Sequence, residues 1–388
     1  MKKNHLNLFA VALLVSATFA VQSCSNDDDP ITPTVPTGIA ANPGDFKGDV
    51  KSGEVVTLDA TKVYKLTGGV HVKDGGQLVI PAGTKIESTG GTSAYVTVEQ
   101  GGKIFANGTA ASPVVFTSPS ATAGSWGGIV IAGKAPINKG TTASAEVGNT
   151  TYGGTVANDN SGSLTYVRIE HSGALFSGEK EFNGLSLFAV GNGTTINNIS
   201  ILNGADDGIE FFGGTVNVSN IISVGNEDDA FDWTEGWNGT ATNIYTKRRA
   251  NGIGNRGIEG DNNADNNDAS PRSNPTIKNA TFIGSTTLGE TDGLKLRVGT
   301  YATIDNLVLS NWKTGINVEH DSSVNYFNGT GKITNVKFDG VTTSASVKAS
   351  SGSPAAVLLP NTYVENATAN GAGNGTATPT WAATWGGL

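Results

Sequence analysis

The chain has 388 residues, among them 53 Gly and 13 Pro, with 37% apolar and 15% charged residues and a net charge of −9. Helix formers are too scarce for a helical bundle or an ordinary α/β enzyme, and the recurring short Val/Ile/Leu/Phe runs argue against disorder. An acidic chain without basic blocks lacks the positive footprint that nucleic-acid binding requires.

In chain order, Lys2 and Lys3 precede an apolar run from Leu8 to Val21 that ends at Gln22-Ser23-Cys24. A basic start, a short apolar core and small residues at the cut define a signal peptide over residues 1–23. The run is shorter than the roughly 20 residues a membrane span needs. Val21-Gln22-Ser23-Cys24 resembles a bacterial lipobox, with Gln22 where a small residue is usual. That resemblance implies that Cys24, the single cysteine, becomes the acylated first residue. Ser25-Asn26-Asp27-Asp28-Asp29 resembles the surface-export signal of Bacteroidetes lipoproteins. It implies a protein held by lipid on the outer face of the outer membrane. Residues 24–45 continue into Pro- and Thr-rich chain expected to act as an extended tether. Loss of the leader removes two lysines, leaving 23 basic against 34 acidic residues.

From residue 46 onward the sequence predicts short strands divided by glycine turns. Gly76-Gln-Leu-Val-Ile80 and Val96-Thr-Val98 are followed by Pro113-Val-Val-Phe116 and Gly128-Ile-Val-Ile131, and each apolar run is set to pack inward. The centre of the chain repeats. Asn183-Gly-Leu-Ser, Asp207-Gly-Ile-Glu, Asp229-Ala-Phe-Asp, Arg256-Gly-Ile-Glu, Asp292-Gly-Leu-Lys and Thr314-Gly-Ile-Asn return about every 22 residues, with insertions in two intervals. Out of phase runs a second series whose third member is always Asn: Asn198, Asn220, Asn243, Asn279, Asn306 and Asn335. Strands of two types alternating within one period describe a coil with flat faces. Stacked asparagines suit its corners, because they form amide ladders and tolerate left-handed backbone. The fold class is therefore all-β, a single-stranded right-handed parallel β-helix over residues 46–388 with a C-terminal cap. These segments, Asp206-Asp-Gly-Ile-Glu-Phe-Phe-Gly-Gly214 and Asp228-Asp-Ala-Phe-Asp-Trp233 foremost, resemble secreted right-handed β-helix lipoproteins of Gram-negative bacteria. The wider superfamily of that fold includes pectate-lyase-like enzymes, but fold alone does not determine activity.

Alternation places the chemistry. If Ile209, Phe231, Ile258 and Leu294 point inward, then Ser186, Glu210, Asp232, Glu259, Lys295 and Asn317 form one outward column. A parallel column holds Phe212, Thr234, Asp261, Arg297 and Glu319. Carboxylates stacked one coil apart repel one another, so Glu210, Asp232, Glu259 and Asp261 are candidate ligands for Ca²⁺, with a solvated acidic face as the alternative. Asp261-Asn-Asn-Ala-Asp265-Asn-Asn-Asp268 begins like a calcium loop. It has Asn266 where Gly is needed and Arg272 where Glu is needed, so it is not an EF-hand.

Two functions compete on this face. In the first, the protein binds an extended ligand such as a glycan, or contacts an outer-membrane transport or assembly complex, with Phe212, Trp237, Lys295 and Arg297 as ligand-binding residues. Trp237 can be an exposed sugar platform or a packed loop anchor. In the second, Lys295 and Arg297 beside Glu259 and Asp261 serve as catalytic residues of a calcium-assisted polysaccharide lyase, which needs a cation to acidify the C5 proton and a base to remove it. A purely structural or adhesive spacer is the remaining alternative.

Overall fold

The computed structural model describes residues 37–249 and 251–388. The leader, Cys24, the acidic export segment and most of the tether lie outside the described residues. The tether's last part is not extended chain. Gly38–Ala41 form a 3₁₀ turn that buries Ala40 against the first coil, because an open coil end exposes apolar side chains that a short apolar turn can cover.

The chain winds as a right-handed parallel β-helix whose 23 strands join in one continuous sheet. Each coil presents three faces. One face, called here the groove sheet, stacks Val96–Val98, Ile129–Ala132, Leu185–Phe188, Ile209–Phe212, Phe231–Thr234, Ile258–Gly260, Asp292–Leu296, Thr314–Glu319 and Thr343–Lys348 in parallel register. The register pairs Leu185 with Ile209, Ile209 with Phe231, and Leu294 with Ile316, which is the alignment of the sequence repeat. These side chains fill the interior and are fully buried. The interior is crowded enough to require glycine at Gly260, where a Cβ would lie 2.4 Å from the Trp233 ring.

The other two faces are halves of single long strands, such as Thr195–Leu202, Val218–Val224 and Thr240–Lys247, bent in the middle. The bend is the asparagine. Asn198, Asn220, Asn243, Asn279, Asn306 and Asn335 all adopt φ between 53° and 59°. Their amides connect in series: Asn220 donates to Asn198 at 3.0 Å, Asn243 to Asn220 at 2.8 Å, Asn279 to Asn243 at 3.1 Å and Asn306 to Asn279 at 2.8 Å. One side chain thus satisfies its neighbours and permits the left-handed corner.

Two segments leave the coil and cover its outside. Residues 133–160 fold over the groove sheet, packing Ile137, Val147 and Tyr152 on the outward side chains Val130, Phe188 and Phe212. The C-terminal residues after a bridge at Val336–Glu365 run back along the third face. Gly375 O accepts from Thr281, Gly386 O accepts from Ser200 at 2.6 Å, and Trp385 packs with Ile222 and Leu202.

Candidate functional site

The groove sheet carries three outward columns, at the first, fourth and sixth positions of each repeat, the sixth starting with Phe188 and Phe212 and turning polar from Thr234 onward. The fourth-position column follows the expected order, with Ser186 paired to Glu210, Glu210 to Asp232, Asp232 to Glu259, Glu259 to Lys295 and Lys295 to Asn317. Beside it the first-position column brings Asn183, Asp207, Asp229 and Arg256 alongside. The insertion over residues 133–160 packs against this sheet and brings Glu146 near Glu210, so the carboxylates, called here the groove, are largely withdrawn from solvent rather than on an open face.

The groove divides in two by charge balance. In its lower half the arginines are spent. Arg256 donates to Asp229 Oδ2 at 3.1 Å and to Glu259, and lies 3.5 Å from Glu290. Arg297 donates from Nε to both Asp261 oxygens, at 2.9 and 3.2 Å, and from Nη2 to Glu259. Burial alone would lower the Arg297 pKa, but Asp261 and Glu259 raise it, so the group stays charged. Lys295 lies 3.6 Å from Glu319.

Among the described residues, the other half has no such cation. Asp207, Glu210 and Asp232 each place an oxygen within 4.8 Å of the others, and so do Asp206, Asp207 and Asp228. Asn183 donates to Glu210 at 2.7 Å, and the Asp229 backbone N–H to Asp207 at 2.8 Å. Asp232 Oδ1 is buried with no hydrogen-bond partner among the described residues. Burial, and then the neighbouring negative charges, push Asp207, Glu210 and Asp232 well above the usual carboxylate range. Burial and Asp228 push Asp206 up to about 8. Asp229 rises to about 7 through burial and Glu259, with Arg256 working against them. The uncompensated half is therefore an array of hard oxygen donors that holds either protons or an added cation. A third triad, Asp229, Asp232 and Glu259, is geometrically similar, but the Arg256 guanidinium already occupies two of its carboxylates, Asp229 and Glu259.

Several sequence expectations need correction. Trp237 is fully buried, stacked on Phe211 at 3.9 Å and donating its indole N–H to Val216 O. It is a loop anchor inside the coil and offers no face to a sugar. Phe212 does point outward, but the insertion covers it, and it stacks on Phe188 at 4.0 Å with 6% of its surface exposed. Asp261 cannot be a cation ligand alongside Glu210 and Asp232, since its carboxylate faces Arg297. The rest of the Asp261–Asp268 segment does not converge on a cation either, because Asp268 is taken by Arg272 and Ser322. Lys295 lies on the Asp292–Leu296 strand and Arg297 just past its end, and both are engaged by carboxylates. Sequence reasoning missed Arg256 as a member of the site, although it shares one repeat position, and so one column, with Asp207 and Asp229. It had no signal for Glu146, which insertion packing brings close enough to raise the Glu210 pKa.

The geometry defines a right-handed β-helix with a carboxylate-lined groove on one face. The chain belongs to the pectate-lyase-like β-helix domain family, whose family model matches residues 48–386. No curated protein is similar enough to count as a match. Among solved structures, the enzymatically active domain of tailspike protein 2 of bacteriophage CBA120 is similar over 77% of this chain, at 12% identity and a TM-score of 0.25. The chain spans 42% of the length of that structure.

Proposed function

We propose that this chain is a surface-displayed outer-membrane lipoprotein, held through Cys24, whose groove takes up Ca²⁺ and binds the carboxylates of an extended acidic glycan through the ion. The observation that carries this reading is Asp232. Its Oδ1 is buried and unpartnered between Glu210 and Glu259, a position that costs free energy unless a cation or proton shares it. Asp207, Glu210 and Asp232 are the ligands. Carboxylate oxygens suit Ca²⁺, which takes six to eight oxygen donors and so keeps positions open for a sugar acid. The pectate-lyase-like family description supports a polysaccharide partner. Lyase chemistry requires a basic side chain free to accept a proton. Arg297 is committed to Asp261 and Glu259, so binding is the better supported use of the groove.

The test is binding of the mature chain to acidic and neutral polysaccharides, in Ca²⁺ and in chelator. The expected outcome is retention of acidic glycans in Ca²⁺ only. Ca²⁺ at about 100 times its Kd should stabilise the fold by about 2.7 kcal/mol. Asp232→Asn should abolish both effects while leaving the chain folded. An unchanged melt on chelation, with glycan binding equal in both buffers, would overturn the proposal.

A further inference from the structure

A second charged feature lies outside the groove. Lys247, Arg248 and Arg249 end the Thr240–Lys247 strand and line a cleft of about 280 Å³ with Ser285, Thr287 and Asn311. In a chain with net charge −9, no carboxylate lines this cleft among the described residues. Arg248 is 8% exposed and forms no salt bridge among the described residues. Its guanidinium is held by backbone carbonyls instead, donating to Glu290 O at 2.6 Å, to Leu288 O at 2.7 Å and to Gly252 O, and its Nε has no partner. It also lies over the Trp312 ring at 5.8 Å. The carbonyls fix the position of the charge without neutralising it. Lys247 is exposed at the rim and has no salt bridge among the described residues, while Arg249 is held by Gly225 O and Glu227. A fixed buried cation and the unpaired Lys247, with the Glu227-bound Arg249 and the polar groups of Ser285, Thr287 and Asn311 also lining the cleft, make a local positive field.

We propose that this cleft binds an oxyanion, a sulfate or carboxylate group carried on a saccharide. Lys247 and Arg249 contact the group, Arg248 supplies fixed charge from below, and Ser285, Thr287 and Asn311 donate the neutral hydrogen bonds. The cleft is larger than one oxyanion, so it takes the group on a larger body rather than as a free ion. Its loops are shared with the groove, because Glu290, whose carbonyl accepts from Arg248, also lies 3.5 Å from Arg256 through its carboxylate. The cleft uses no metal, so it stands or falls separately from the groove.

The experiment is titration of the full mature chain, in chelator, with a sulfated oligosaccharide, a uronate oligosaccharide and their neutral parent. One or both charged ligands should bind and the neutral parent should not; which charged ligand binds identifies the oxyanion. Lys247→Ala with Arg249→Ala should weaken binding at least tenfold in a chain that still folds, at a melting temperature lowered by loss of the Arg249–Glu227 pair, and Lys247→Glu alone, which leaves that pair intact, should weaken binding as well. Failure of both charged saccharides to bind, equal binding of the neutral parent, or wild-type affinity in the double variant would each overturn the proposal. Chelator removes any contribution from Ca²⁺ in the groove, so a negative result here leaves the glycan reading of the groove to its own test.

Discussion

Arg256 donates to Asp229 and to Glu259, two carboxylates that face each other from successive coils, and its side chain is 10% exposed. It occupies the repeat position that Asp207, Asp229 and Asp292 fill elsewhere, so one substitution within a column turns an acidic stack into an ion-pair network. Removing it leaves the buried Asp229 without a cation and Glu259 with Arg297 alone. Arg256→Met should destabilise the fold by about 3–5 kcal/mol in chelator, the range for breaking a buried pair from one side. Ca²⁺ should restore part of that loss, because Asp229, Asp232 and Glu259 then have an unneutralised triad to offer. Denaturant titration in Ca²⁺ and in chelator measures both terms, and equal losses in the two buffers would show that the triad takes no ion. At this scale much of the site is legible in the sequence. Glu210, Asp232 and Glu259 follow from alternation alone, whereas the burial of Trp237 and Phe212 does not, because a loop anchor and an exposed platform share one local pattern.

Among elements, the bent strands show how a single residue type sets the coil's geometry. Asn243 holds φ at 59°, donates to Asn220 and accepts from Asn279. Asn243→Ala loses both amide bonds and keeps a Cβ in left-handed backbone without the polar side chain that lets asparagine tolerate it, while Asn243→Gly loses the bonds but removes the Cβ. Alanine should therefore cost about 2–4 kcal/mol, and glycine about 1–2 kcal/mol less than alanine. The difference between their denaturant midpoints isolates the backbone cost, and equal midpoints would mean the corner carries no strain. The asparagine series announces this corner plainly in the sequence because its period and residue type are constant. The insertion over residues 133–160 has no such period. Its docking depends on Ile137 and Tyr152 meeting Phe188 and Phe212, contacts made between coils far apart in sequence.

For the whole molecule, the groove couples folding to pH. Burial and neighbouring carboxylates push Asp206 up to about 8 and Asp229 to about 7, and raise Asp207, Glu210 and Asp232 well above the 3.8 to 4.5 of the free side chains. The folded state then binds more protons than the unfolded chain between these values, so stability falls as pH rises through that window. In chelator the melting temperature should decline from about pH 4 to 8, at up to about 1.4 kcal/mol per pH unit for each proton lost, and Ca²⁺ should flatten the decline. A melting temperature that rises over this range in chelator would refute the raised carboxyls. The period of the repeat, the asparagine corners and the order of charges along each column were determined by sequence alone, since strand alternation and parallel stacking follow from local periodicity. Tertiary structure decided the rest. It set which carboxylates lost water under the insertion, which arginine reached them, and that the C-terminal segment returns along the third face to bury Ile222 and Tyr245. Those outcomes depend on contacts between distant coils and insertions, and no local pattern of residues encodes them.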